Sequence, residues 1–185
     1  EKMMLSPHAD RGISLLFETD TAKYIHPDIK SPRVPISSLP YRFSTRLAAL
    51  FDTVPTISCM KLSRETVNAV KLLSDDAFFE EITSKFKEND ATARYMLAKY
   101  GELACDAALL RGRNNLAEEI AKENDKSPCV SLRDLAVGGN DLISAGIEAK
   151  KLGGIMSSLL LSVIEEQSLN QKDNLISMAR ELANR

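Results

Sequence analysis

The sequence predicts an all-α, extended multi-helix array with no significant sheet. Three observations predict it. Only 8 glycines and 7 prolines occur in 185 residues, and the prolines concentrate between Pro27 and Pro55, so the remaining chain can run as helix. Apolar residues recur with a 3.6-residue period in segment after segment. Strand signals are nearly absent: Val54 to Met60 alone is enriched in β-branched residues, and Pro55 within it demotes it to a loop or a helix lead-in.

Taken in order, Ser6-Pro7 supplies a cap and a first-turn proline for a helix carrying Ile13, Leu16 and Phe17 and ending near Asp20. From His26 to Pro40 the repeated prolines remove donors and bias their neighbours away from helix, which predicts a surface loop. A second helix starts near Ser38 or Pro40 and turns Phe43, Leu47, Leu50 and Phe51 inward. Ser63 caps a helix bearing Val67, Val70 and Leu73, and Asp75-Asp76 opens one that buries Phe79, Ile82 and Phe86. The longest pattern runs from Asp90 through Ala93, Met96, Leu97, Tyr100, Leu103 and Ala104 to Ala108, and a short helix follows from Asn114 or Asn115.

The polar stretch 123–128, E-N-D-K-S-P, predicts a linker that divides a helical body, residues 1–127, from a helical tail, residues 128–185. In the tail, two glycine clusters bracket a helix of about two turns. A long helix from about Lys150 buries Ile155, Met156, Leu159, Leu160, Val163 and Ile164. Asn170 caps the last helix, with Asp173 as its N3 acid and Leu175, Met178, Ala179 and Leu182 inward.

Composition narrows the function. A net charge of −2 argues against coating nucleic acid by bulk positive charge and leaves room for a local basic face. No apolar run reaches the roughly 18 to 20 residues of a membrane span. Cys59, Cys105 and Cys129 offer neither a paired framework nor a zinc spacing, which suits a reducing cytoplasm. No nucleophile elbow and no phosphate-binding glycine loop ending in Lys-Ser/Thr is present. Asp75-Asp76 lacks the strand and glycine turn of a magnesium site, so helix capping is the better reading, and neither His8 nor His26 is followed by aspartate. The sequence therefore predicts no catalytic residue and no metal ligand of its own.

Three features could meet a phosphate. Gly138-Gly139 before Asn140-Asp141 can support a left-handed turn and a capped helix start with outward amides, although such turns are commoner without a ligand. Lys150 and Lys151 lie near a helix start, where positive charge is slightly unfavourable unless an anion is close. Arg111 and Arg113 flank Gly112 past the longest helix and either complement its dipole or reach a phosphate.

The segment D-L-A-V-G-G-N-D-L-I-S-A-G-I-E-A-K-K-L-G-G-I-M-S-S-L-L-L-S-V-I-E, followed by N-Q-K-D-N-L-I-S-M-A, resembles the end of bacterial CCA-adding tRNA nucleotidyltransferases. Upstream, L-P-Y-R-F-S-T-R-L-A-A-L-F, M-K-L-S-R-E-T-V and the opening K-M-M-L-S-P-H-A-D-R-G-I-S-L-L-F-E-T resemble the same family's helical body. Ala149 departs from the pattern where the first glycine of the second cluster is expected, whereas Gly153 keeps the later one.

The resemblance implies a body-and-tail piece that holds the acceptor and T-arm region of tRNA. A head absent from these residues would transfer CMP and AMP from CTP and ATP with Mg2+, so the piece alone would be inactive. Lys150, Lys151, Arg111, Arg113, Gly138, Gly139 and Asn140 are then the candidate RNA contacts. Association of the chain with itself is compatible with this reading. The rival from another class is a non-enzymatic helical module that captures protein partners in an apolar groove.

Overall fold

A computed structural model describes residues 1–51, 60–86 and 89–184. The described residues are helices and connecting turns, with no strand among them. The first apolar cluster runs from Met4 through Ile120 and takes in Ile164; the second runs from Cys129 to Ala179.

Helix α1, Ala9–Glu18, buries Ile13, with Leu16 and Phe17 packed behind it. It begins two residues later than the proline suggests, because the Ser6 hydroxyl accepts the His8 N–H outside the helix. A four-residue helix, α2, Ala22–Ile25, has no counterpart in the sequence reading. Helix α3 is only Phe43–Ala48, and a 3-10 turn occupies Ile36–Ser38. Leu50 and Phe51 are still buried, but from the turn beyond the helix. The stretch Val54 to Cys59 lies outside the described residues.

Arg46 ties this end together. Its buried guanidinium donates to the carbonyls of Met4 at 2.8 Å, Leu39 at 3.1 Å and Pro40 at 3.1 Å, while the Tyr41 ring covers it at 5.0 Å. The Tyr41 hydroxyl in turn donates to the Leu5 carbonyl. From the preceding position of α3, Thr45 donates to the buried carboxylate of Asp106 at 2.5 Å.

Helix α4, Arg64–Leu73, is capped by Ser63, whose hydroxyl accepts the Thr66 N–H at 3.1 Å. Helix α5, Asp76–Phe86, buries Phe79 and Ile82 and stacks Phe86 on Tyr95 at 4.9 Å. The pattern expected to be one long helix is two: α6, Asp90–Tyr100, and α7, Ala104–Leu110. Gly101 divides them at φ 55 and ψ −127, a sparsely populated backbone region that costs a side-chain-bearing residue about 1–3 kcal/mol. Gly101→Ala is therefore expected to lower stability by about that amount in a urea titration, since the added methyl meets no atom within 4 Å and the cost is one of backbone alone.

Helix α8, Asn114–Asp125, packs across α6 and α7. It runs into the supposed linker, and Glu123 in that stretch is buried. Ser127, at φ 51, follows its end. In the second cluster, α9 is Gly139–Ser144, α10 is Leu152–Glu165 and α11 is Lys172–Ala183. Asn170 does not cap α11, which starts from Gln171; its side chain instead accepts the Ala136 N–H at 2.8 Å and donates to the Asp134 carbonyl at 3.0 Å. No helix among the described residues is long and apolar enough to cross a membrane.

Candidate nucleic-acid interface

Lys150 and Lys151 sit in a 3-10 turn, Ala149–Lys151, that leads into α10. With Gly154, Ile155, Ser158 and Leu182 they line an open depression of about 410 Å³ between α10 and α11, and no carboxylate is among the lining residues. Gly154 and Ser158 contribute small residues to its α10 side. The two lysines differ. Lys151 donates to the Ala183 carbonyl at 2.7 Å and so neutralises the carbonyl end of α11. Lys150 is exposed and pairs with Glu148 at 2.8 Å, a surface contact of little intrinsic strength.

The glycine pair stands at the start of α9, against the same helices, with an ideal Cβ on Gly139 4.0 Å from Leu152. The left-handed turn does not form there. Gly138 is extended, at φ −106 and ψ 172, because the Asp141 carboxylate accepts its N–H at 2.8 Å and caps the helix; the left-handed glycine is Gly146, past the other end of α9. Asp141 also receives Lys172 at 2.5 Å, and these two bonds, the lysine's first, hold its carboxyl below the usual range. The Gly138 amide is thus engaged within the fold, while Gly139 and Asn140 form the first turn.

Arg111 and Arg113 lie elsewhere, on the turn between α7 and α8 in the first cluster. The Arg111 side chain is 5% exposed and bonds the Ala107, Leu73 and Asp75 carbonyls and the Asp76 carboxylate, with its guanidinium 4.3 Å over the Phe79 ring. It locks α5 to α7. Arg113 is exposed and opens α8. The structure therefore gathers Lys150, Lys151 and the Gly138 to Asn140 turn in the second cluster and leaves the two arginines in the first.

Reactive groups are muted. Burial pushes the Cys129 thiol up to about 11, and burial with the neighbouring Asp106 charge raises that of Cys105. His26 is buried edge-on against Phe51, and its Nδ1 accepts the Asp28 N–H. Among the described residues no three His, Cys, Asp or Glu side chains converge as a metal would require.

Sequence reasoning missed a buried ionic cluster between the two cores. Arg94 of α6 donates from Nε to the Ile164 carbonyl at 2.5 Å, from one terminal nitrogen to the Glu123 carboxylate at 2.8 Å and from the other to the Glu165 carbonyl at 2.9 Å. Burial opposes ionisation of Glu123, but hydrogen bonds from Lys126 and Arg94 outweigh it and hold its carboxyl below the ordinary range. Tyr95 donates to the Glu165 carboxylate at 3.0 Å, and burial together with that carboxylate pushes the phenol up to about 12. The one signal in sequence is an arginine set between Ala93 and the apolar Met96 and Leu97 of α6.

Fold and site together define an all-α module in which two apolar clusters share one helix and a basic-rimmed depression lies on the second. Among known proteins, the chain is 24% identical over 199 aligned residues to a CCA-adding enzyme of Leuconostoc citreum (strain KM20), a match that covers 98% of this chain and 48% of that protein. That similarity marks a distant relationship to CCA-adding enzymes. The chain spans about half the length of the relative it matches. No family model and no solved structure matches it.

Proposed function

We propose that this chain is the tRNA-binding and positioning part of a CCA-adding tRNA nucleotidyltransferase. The division falls between a body, residues 1–127, and a tail, residues 128–185, and the head that uses CTP, ATP and Mg2+ lies outside these residues. The observation that carries the reading is the match to a CCA-adding enzyme along 98% of the chain. The depression rimmed by Lys150 and Lys151 supports it, because recognition of a folded RNA needs a few placed cations and donors rather than high net charge. Lys150 is the leading contact: it is exposed, and its partner Glu148 is a weak competitor for a phosphate. Gly139 and Asn140, in the first turn of α9, are further candidate contacts. Arg113 is a separate contact on the body, whereas Arg111 serves the fold.

The test is a titration of the chain against whole tRNA, a minihelix of acceptor and T arms, and an unrelated hairpin, at two salt concentrations. Preference for tRNA and the minihelix is the expected result. Lys150→Glu with Lys151→Glu is expected to weaken that binding and to lower its salt slope by about 1 for each phosphate no longer neutralised, and Lys150→Glu alone, which gives up only the Glu148 pair and leaves the Lys151 bond to the end of α11 in place, is expected to do so with helicity unchanged. Equal binding to all three RNAs, or none, would overturn the reading and favour the protein-partner rival.

A further inference from the structure

We propose that Arg94 is the joint that fixes the direction of the tail relative to the body, and that through α10 it positions the Lys150 end of the molecule. Helix α10 belongs to both cores: Leu159 and Val163 lie in the second cluster, Ile164 lies in the first, and Leu160 packs against both. Its last turn carries no basic residue of its own, and the residue after it, Glu166, is extended at φ −137. The negative pole of the helix is met from outside instead. Arg94 of the body takes the Ile164 and Glu165 carbonyls, and Gln167 takes the Val163 carbonyl at 2.7 Å.

Two anchors then fix the grip. Glu123 holds Arg94 from α8, and Gln167 also pairs with the backbone of Cys129, accepting its N–H at 2.7 Å and donating to its carbonyl at 3.1 Å, which fastens the connection between the clusters to the same point. Planarity matters here, because the guanidinium spreads its donors over three nitrogens in one fixed plane and so reaches two successive carbonyls and a carboxylate, whereas an ammonium offers all its donors from a single point. From this end α10 runs 14 residues, about 21 Å, to the lysines, so a pivot of about 10° at Arg94 displaces them by about 4 Å. That displacement exceeds a hydrogen-bond length.

The structural half of this proposal is independent of RNA; the positioning half rests on the tRNA reading above. The experiment places spin labels on ketone-bearing residues introduced at exposed positions 118 and 157 of the full chain and measures the distance distribution between them. Arg94→Met alone leaves Glu123 buried without its partner and can unfold the chain. The decisive variant is therefore Arg94→Met with Glu123→Met, which refills the site with apolar volume and is expected to fold.

In that double variant the distribution broadens or shifts while the chain still unfolds in one cooperative transition, and tRNA affinity falls about tenfold, at the low end of what coupling between sites carries. An unchanged distribution overturns the joint. A broadened distribution with undiminished tRNA affinity overturns the positioning role. Failure of the unsubstituted chain to bind tRNA defeats the functional reading instead, and leaves the joint to be judged on distances alone.

Discussion

Arg94→Ala is expected to lower unfolding free energy by about 3–5 kcal/mol, measured by urea titration followed by circular dichroism. The side chain is 10% exposed and Glu123, its partner, 4%. Truncation leaves a buried carboxylate with only Lys126 for company and strips two helix carbonyls of their donor. Arg94→Lys should recover part of the loss, since it restores charge without the fork. The same cluster sets an acid response. A carboxyl whose folded pKa lies below its unfolded one stabilises the fold above the unfolded value, and that contribution is lost as pH falls through the folded value. For Glu123 the loss therefore begins below the ordinary 4.5. Glu123→Gln should flatten the steepening of acid unfolding in that window, and an identical acid profile would contradict the assignment.

Phe79→Ala is expected to cost a similar amount, about 3–5 kcal/mol, on a different mechanism. Phe79 is fully buried, and its ring is the surface on which the Arg111 guanidinium lies. Removing it opens a cavity and releases Arg111, whose bonds join α5 to the ends of α4 and α7. Because α10 contributes to both apolar clusters, the damage should not stay in the body. The variant is expected to melt in one transition at lower temperature, by calorimetry, and two separated transitions would show that the clusters unfold independently.

Much of the helical order is legible in sequence because it depends on local rules. Ser63 caps its helix as its chemistry suggests, and the inward faces of α1, α4 and α5 follow the apolar period. What the period cannot reveal is a backbone break compatible with it. The apolar positions from Ala93 to Ala108 keep their spacing across Gly101, yet the chain there takes a positive φ and a 3-10 turn. Caps escape a local reading where long-range bonds compete with local ones. Asn170 has the chemistry of an N-cap and instead holds the loop at Asp134 to Ala136, a partnership 34 to 36 residues away in sequence. Of the candidate site, the lysine pair and the glycine turn share one cluster, whereas charge alone cannot distinguish a buried Arg111 from an exposed Arg113. The ionic joint at Arg94 is illegible for a related reason: two of its partners are main-chain carbonyls, which every residue possesses.

The stitching of Arg46 to the opening residues bears on how this protein can be handled at the bench. Met4 is buried, its carbonyl receives Arg46, and the neighbouring Leu5 carbonyl receives Tyr41. An expression clone trimmed to begin at α1, as a helix-based boundary would suggest, discards acceptors that a buried guanidinium requires and removes Met4 from the first apolar cluster. Useful recombinant boundaries therefore lie upstream of Met3, and an affinity tag belongs there behind a spacer rather than in place of these residues.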